Sequence, residues 1–290
     1  MTHSKLNRLN LTKFFILFLC SFWFYTSNVN AEIVEKKLDN GLIATAEYLP
    51  GDPQKATVLV LHGFLTTRQF RTVNNLVNEL ADEDYTVLAP TLSLGVSRRK
   101  VTLSCDAIHT HSMEDDISEI QQWMKWLEQK KHQNIVFVGH SYGSLQGLVY
   151  AERSTKPALR KIIATSLIDA GQSDDNAITI DQIRAAKKLQ KSNHPGLGEY
   201  RLSYCKKYVS PPKAFLSYVT WSKEKIVSAL SKHNLPVHVI LGGADKRMGK
   251  EWPQTLRKNG VEYTLMKGAN HFFDAEYEFD LLDAVQEQLR

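Results

Sequence analysis

At 290 residues with 43% hydrophobic content, the chain is long enough to build one sizeable core, and no internal repeat, low-complexity tract or Pro/Gly-rich linker divides it. Its formal charge of +5 at pH 7 reflects 36 basic against 31 acidic residues, an excess too slight to imply nucleic acid as a partner. No zinc-finger, RNA-binding or helix-turn-helix signature accompanies it.

Lys5, Arg8 and Lys13 precede an apolar run from Phe14 to Tyr25, and Val29-Asn30-Ala31 offers small or apolar residues at −3 and −1 of a cut after Ala31. That order predicts a secretory signal peptide over residues 1–31 and a mature domain over 32–290 that is exported to a periplasm or beyond the cell. An uncleaved anchor is the rival, although the run is short against the roughly 20 residues a spanning helix needs. Lipidation is disfavoured, since Leu19 stands before Cys20 where a small residue is wanted. Cleavage would remove three basic residues and leave a formal charge of +2 with two cysteines, Cys105 and Cys205. An oxidising compartment permits a bridge between them, and two separately buried thiols would give the same sequence.

From Ile33 to Tyr48 two short strands flank Asp39-Asn40-Gly41-Leu42, where Asn-Gly between apolar segments signals a tight turn. Thr57 to Leu61 (TVLVL) is continuously apolar and mostly β-branched or Leu, as a strand covered on both faces should be, and runs into His62-Gly63-Phe64. Phe70 to Leu80 reads as a helix with Phe70, Val73, Leu76, Val77 and Leu80 on one side. Tyr85 to Ala89 is a second buried strand closed by Pro90, followed by a long irregular stretch from Thr91 to His111, a length that invites a functional explanation. Met113 to Lys130 is helical by period, Ile135 to Val138 is a strand, Gly143 to Glu152 a helix and Lys161 to Leu167 a strand.

The strand-helix rhythm then stops. Gln172 to Asn234 reads as helical pieces and turns before Val237 to Leu241 resumes it, so an insertion over the sheet, a helical cap of about 172–234, is the simplest account. Glu251 to Asn259, Val261 to Met266 and Phe279 to Leu289 supply helix, strand and closing helix. Strands alternating with helices predict an α/β protein with a mostly parallel sheet and helices on both faces. Such a sheet puts its chemistry beyond the carboxyl ends of its strands.

The central chemical signal is Gly139-x-Ser141-x-Gly143 between a predicted strand and a predicted helix. Small flanking residues allow a sharp, strained turn that exposes a serine oxygen, and the following helix N-terminus favours negative charge there. Ser141 is therefore the candidate nucleophile. The chain as a whole resembles the α/β-hydrolase superfamily. The resemblance is carried by His62-Gly63-Phe64, Gly139-His140-Ser141-Tyr142-Gly143, Gly242-Gly243-Ala244-Asp245 and Gly268-Ala269-Asn270-His271, in the family's order over roughly residues 40–290.

A serine hydroxyl needs a base to take its proton and a group to orient that base. The resemblance implies His271 as base, in the loop between the last strand and the final helix. It implies Asp245 as the orienting acid, after the Val237–Leu241 strand, with Asp169 and Asp274 as rivals. His140, beside the serine, is expected to pack along the turn. The family's oxyanion hole uses the amide after the nucleophile and one in the loop after His-Gly, which nominates Tyr142 and Phe64, with Leu65 as the fallback for the second donor.

The insertion carries eleven Lys and Arg against five acidic residues, together with Tyr200, Tyr204, Tyr208, Phe215, Tyr218 and Trp221. A cationic, aromatic cap face would favour an anionic or amphiphilic substrate, while solvated charges over aromatics packed on the sheet would give the same composition. His109-Thr110-His111 near Cys105 has no fourth spaced ligand, so neither metal nor cofactor is expected. The resemblance implies a serine hydrolase acting on a carboxylic ester of a small or lipid-like acyl substrate, and the N-terminal leader adds the expectation of export, with transient membrane contact compatible with it and oligomeric state open. Amide, thioester and lysophospholipid bonds are served by the same chemistry. An inactive binding protein on the same fold is the alternative from another class.

Overall fold

The continuous apolar run at Thr57–Leu61 becomes β3, buried along its whole length, and it organises the molecule. Leu59 and Leu61 point to one side of the sheet and Val58 and Val60 to the other, so each strand residue feeds one of two cores. β5 (Ile135–His140) divides in the same way, with Phe137 on the first side and Val136 and Val138 on the second. The computed structural model describes residues 31–153, 158–169, 179–232, 235–249 and 251–290. The leader expected over residues 1–31 lies almost wholly outside them.

Eight strands form the main sheet. β1 (Glu32–Lys37) and β2 (Ile43–Leu49) make the antiparallel hairpin, and β2 pairs antiparallel with β4 (Thr86–Thr91). Parallel pairing then runs from β4 through β3 and β5 to β6 (Leu159–Thr165), β9 (Val237–Gly242) and β10 (Tyr263–Met266). Helices α2 (Met113–Gln129) and α3 (Tyr142–Arg153) cover the first face, α1 (Arg71–Asp82) and α8 (Tyr277–Leu289) cover the second, and α7 (Trp252–Lys258) stands between β9 and β10 in the chain. The capping box at Ser112 and Asp115 starts α2 by satisfying orphan backbone donors at its first turn. One boundary differs from expectation. Pro90 does not close its strand, because β4 is an internal strand that continues to Thr91, with Pro90 opposite Ala46 and both flanking residues paired.

After β3 the chain adds β4 on one side and β5 on the other, so the strand order diverges at β3. The crevice beyond the carboxyl ends of β3 and β5 is where an open α/β sheet places a ligand. His62 and Ser141 stand at those two ends.

The segment between β6 and β9 is helical only in part. α4 (Ile180–Gln190), α5 (Pro212–Val219) and α6 (Lys223–Lys232) are joined by an antiparallel hairpin of β7 (Gly198–Leu202) and β8 (Cys205–Ser210). The buried positions of this hairpin are Tyr200 and Leu202 on β7 and Cys205, Tyr208 and Ser210 on β8, where a register shift between Tyr200 and Leu202 breaks the period-two alternation. Its turn is Ser203 at φ 54, with neither Gly nor Asn to announce it. A bridge from Ile108 to Val209 and the Cys105–Cys205 disulfide fasten the hairpin to the long segment after β4.

Candidate active site

Ser141 sits at φ 58 on the turn from β5 to α3, a left-handed conformation rare for a residue with a side chain. The two flanking glycines are required by approach distance. A Cβ on Gly139 would lie 2.4 Å from Ser144 N, and one on Gly143 would lie 2.6 Å from both Leu61 O and His62 O, so the turn is wedged against the end of β3. The Ser141 amide donates to Thr165 O at 2.8 Å, and Ser144 Oγ lies 2.7 Å from Gly139 O and 2.8 Å from Thr165 O. The end of β6 thereby holds the strained turn in place.

Three residues from three loops meet there. Ser141 Oγ is 2.9 Å from His271 Nε2, and His271 Nδ1 is 2.6 Å from Asp245 Oδ2. All three are buried. The second carboxylate oxygen of Asp245 accepts the Arg247 amide at 2.8 Å, and Ser166 Oγ donates to His271 O at 2.7 Å, so both acid and base are oriented from behind. Of the rivals for the acid, Asp274 pairs with Arg71 and accepts from Asn270 Nδ2 at 2.8 Å. Asp169 is buried after β6, while both His271 ring nitrogens are engaged by Asp245 and Ser141; burial, then Tyr208 and Asp169, raise the Tyr142 phenol. His140 packs along the turn as expected, with its Nδ1 3.2 Å from Thr165 Oγ1. Burial, then the charges of His271 and Arg247, hold its imidazole well below its usual pKa, hence neutral.

The amides of Phe64, Leu65 and Tyr142 have no acceptor among the described residues and so remain available as donors. Of the two loop candidates, Phe64 is the one that lines the cavity at the serine. Its loop is held rigidly. His62 Nδ1 donates to Gly63 O at 2.8 Å while its Nε2 accepts from the Leu92 amide at 3.0 Å, which fixes the tautomer. Burial, reinforced by the Arg99 charge, lowers His62 to a pKa of about 3.

Nothing in the sequence singles out Arg99 or Arg247, and Tyr204 stands there only as one of six cap aromatics. Arg99 is buried and donates to four carbonyls: Nε to Leu92 O at 2.7 Å, Nη1 to Leu65 O at 3.2 Å and Val101 O at 2.9 Å, and Nη2 to Thr66 O at 2.6 Å. It staples the Phe64 loop to the segment after β4, and burial lowers it only to about 10, so it stays charged at neutral pH. Tyr204, on the turn of the hairpin, donates its hydroxyl to Phe64 O at 3.1 Å. Arg247 lines the same cavity as Ser141. No sequence rule marks a residue whose partners are backbone carbonyls of distant loops; the length of the 91–111 stretch was the one available hint.

The cavity holds about 250 Å³ and is bounded by Phe64, Phe70, Tyr204, Arg247 and Phe272 around Ser141 and His271. Among the cap aromatics, Tyr200, Tyr208, Phe215, Tyr218 and Trp221 are buried in packing, and Tyr204 alone is exposed enough to face the cavity. His109 stacks on Tyr208 at 4.4 Å, His111 Nδ1 lies 2.6 Å from the Tyr218 hydroxyl, and Cys105 is in its disulfide, so this cluster is engaged with neighbours. No group of three or more metal-ligating side chains occurs among the described residues.

Fold and strand order together define the α/β-hydrolase fold. A sequence model of the α/β-hydrolase fold matches residues 56–193. Similar solved structures include the thioesterase domain from the curacin biosynthetic pathway, 14% identical over 89% of this chain and 99% of that one, with a TM-score of 0.61. Est1E from Butyrivibrio proteoclasticus is 18% identical over 89% and 96%, at 0.59. A thermophilic esterase from Thermogutta terrifontis is 19% identical over 90% and 98%, at 0.60. At these identities the likeness carries the fold. No curated protein sequence matches the chain.

Proposed function

We propose that the protein is an exported serine hydrolase that cleaves a small carboxylic ester through an acyl-serine intermediate. The observation that carries the reading is the unbroken relay from Ser141 Oγ through His271 to Asp245, at 2.9 and 2.6 Å. His271 Nε2 takes the proton of Ser141 as Oγ bonds to the ester carbonyl carbon, and Asp245 stabilises the imidazolium without taking the proton. Charge on the carbonyl oxygen is received by the amides of Phe64 and Tyr142. His271 then delivers its proton to the departing alcohol. In the second half a water gives its proton to His271 and attacks the acyl-serine, releasing the acid and restoring Ser141.

The esterase likenesses support the ester as the bond cleaved, and a cavity of about 250 Å³, at the lower edge of ligand pockets of roughly 300–1,000 Å³, supports a short acyl chain. The Cys105–Cys205 disulfide supports export, because such bonds persist in oxidising compartments. The test is hydrolysis of 4-nitrophenyl acetate, butyrate and octanoate by the wild type and by Ser141→Ala, His271→Ala and Asp245→Asn. The account expects the short esters to be preferred and kcat to fall by at least about 10³-fold in the first two variants. Folded variants that keep wild-type rates would overturn it.

A further inference from the structure

Among the described residues, Arg247 is a cation without a counter-ion. It is half-buried at the catalytic cavity, and none of the described carboxylates lies within ion-pair or hydrogen-bond reach of its guanidinium. Two aromatic rings hold it instead: Phe272 with its ring centroid 4.8 Å away, and Tyr204 at 5.6 Å. Phe272 adjoins the base, its ring 5.1 Å from that of His271, and Tyr204 holds the Phe64 carbonyl. The guanidinium therefore spans the gap between the base side and the oxyanion side of the site. Cation–π contacts position the guanidinium and do not use its N–H donors. A planar, oriented fork of donors matches a carboxylate, and partial burial strengthens the pairing relative to open water.

We propose that Arg247 anchors an anionic group of the substrate, so that the ester cleaved carries a carboxylate a few atoms from the scissile bond. This rests on the hydrolase reading above and names its substrate class. The arginine acts in binding. Its backbone amide, which supports Asp245 at 2.8 Å, is retained whatever side chain stands at 247.

Two matched ester pairs test it on the full mature chain. One places the carboxylate on the acyl side, the mono-4-nitrophenyl ester of adipic acid against 4-nitrophenyl hexanoate. The other places it on the leaving group, 4-carboxyphenyl acetate against 4-carbamoylphenyl acetate. The quantity read is the ratio of kcat/KM within each pair, in wild type, Arg247→Met and Arg247→Lys, at low and high salt. In at least one pair the charged ester is expected to be preferred by about tenfold, as a charge-assisted hydrogen-bonded pair allows. The preference should reside in KM, shrink with salt, vanish in Arg247→Met and survive in part in Arg247→Lys, which also reads the effect if the Met variant does not fold. Fluorophosphonate labelling of Ser141 is run on the same samples. Labelled wild type with no charged-ester preference in either pair, or with a preference that persists in Arg247→Met, overturns the anchor and leaves the hydrolase reading standing. Absence of both labelling and turnover overturns the hydrolase reading, and the anchor with it.

Discussion

Replacing Cys105 and Cys205 by serine removes a cross-link that closes a loop of 100 residues between the segment after β4 and the hairpin over the site. In the chain-entropy account, opening a loop of that length in the unfolded state costs about 4.7 kcal/mol of stability, a large share of a typical total of about 5–15 kcal/mol. The folded state itself has little reason to move. The Ile108–Val209 bridge, the His109 amide on Val209 O at 2.8 Å and the His109–Tyr208 stack at 4.4 Å all fasten the same hairpin to the same segment without the disulfide. The assay is reversible urea unfolding followed by far-UV circular dichroism and tryptophan fluorescence, with ester hydrolysis measured before denaturant is added. With an m-value of about 3 kcal/mol/M for a chain of this size, the midpoint should fall by about 1.5 M, while kcat/KM without denaturant changes by less than about twofold. A midpoint shift below about 0.3 M, or lost activity at unchanged stability, would refute the reasoning, because the bond would then act on the folded hairpin rather than on the unfolded chain.

Two further outcomes follow from buried polar groups. The Glu119 carboxyl is raised from 4.5 to about 7, chiefly by burial and opposed by its hydrogen bonds from Ser93. A carboxyl whose folded pKa is raised contributes stability that is fully present below about pH 4.5 and lost as pH rises through about 7, a change of about 3 kcal/mol for a shift of that size. Glu119→Gln should flatten this dependence, gaining on the wild type in thermal midpoint between pH 5 and pH 8; parallel pH curves would contradict the assignment. Tyr204→Phe removes the hydroxyl that holds Phe64 O and is expected to lower kcat about fivefold, the worth of one neutral hydrogen bond of about 1 kcal/mol. Thermal midpoint should change little, and a loss confined to KM would argue against a role in placing the Phe64 amide.

Much of the sheet was legible because its physics is local. TVLVL at 57–61, short, apolar and β-branched, reads as a strand buried on both faces, and the Gly-x-Ser-x-Gly run marks its own tight turn, since the structure leaves no room for a Cβ at Gly139 or Gly143. The positions of Asp245 and His271 were available from their place after β9 and β10. What escaped is non-local. Pro90 reads as a strand breaker until β2 is seen beside it. The β7–β8 hairpin turns at Ser203 without a glycine, and its Cys-Lys-Lys-Tyr strand carries few residues typical of sheets. Arg99 takes its meaning from carbonyls at 65, 66, 92 and 101, which every sequence possesses. Lys246 and Arg247 are equally basic neighbours in the sequence, and only the fold shows that the second lines the cavity.

The most direct test of the central claim is labelling of the folded mature protein with a fluorophosphonate, read by intact mass and by mapping of the modified peptide. The account predicts a single adduct on Ser141, absent in Ser141→Ala and strongly slowed in His271→Ala. Folded wild-type protein that takes up no label, or that carries it on another residue, would contradict the assignment of Ser141 as nucleophile.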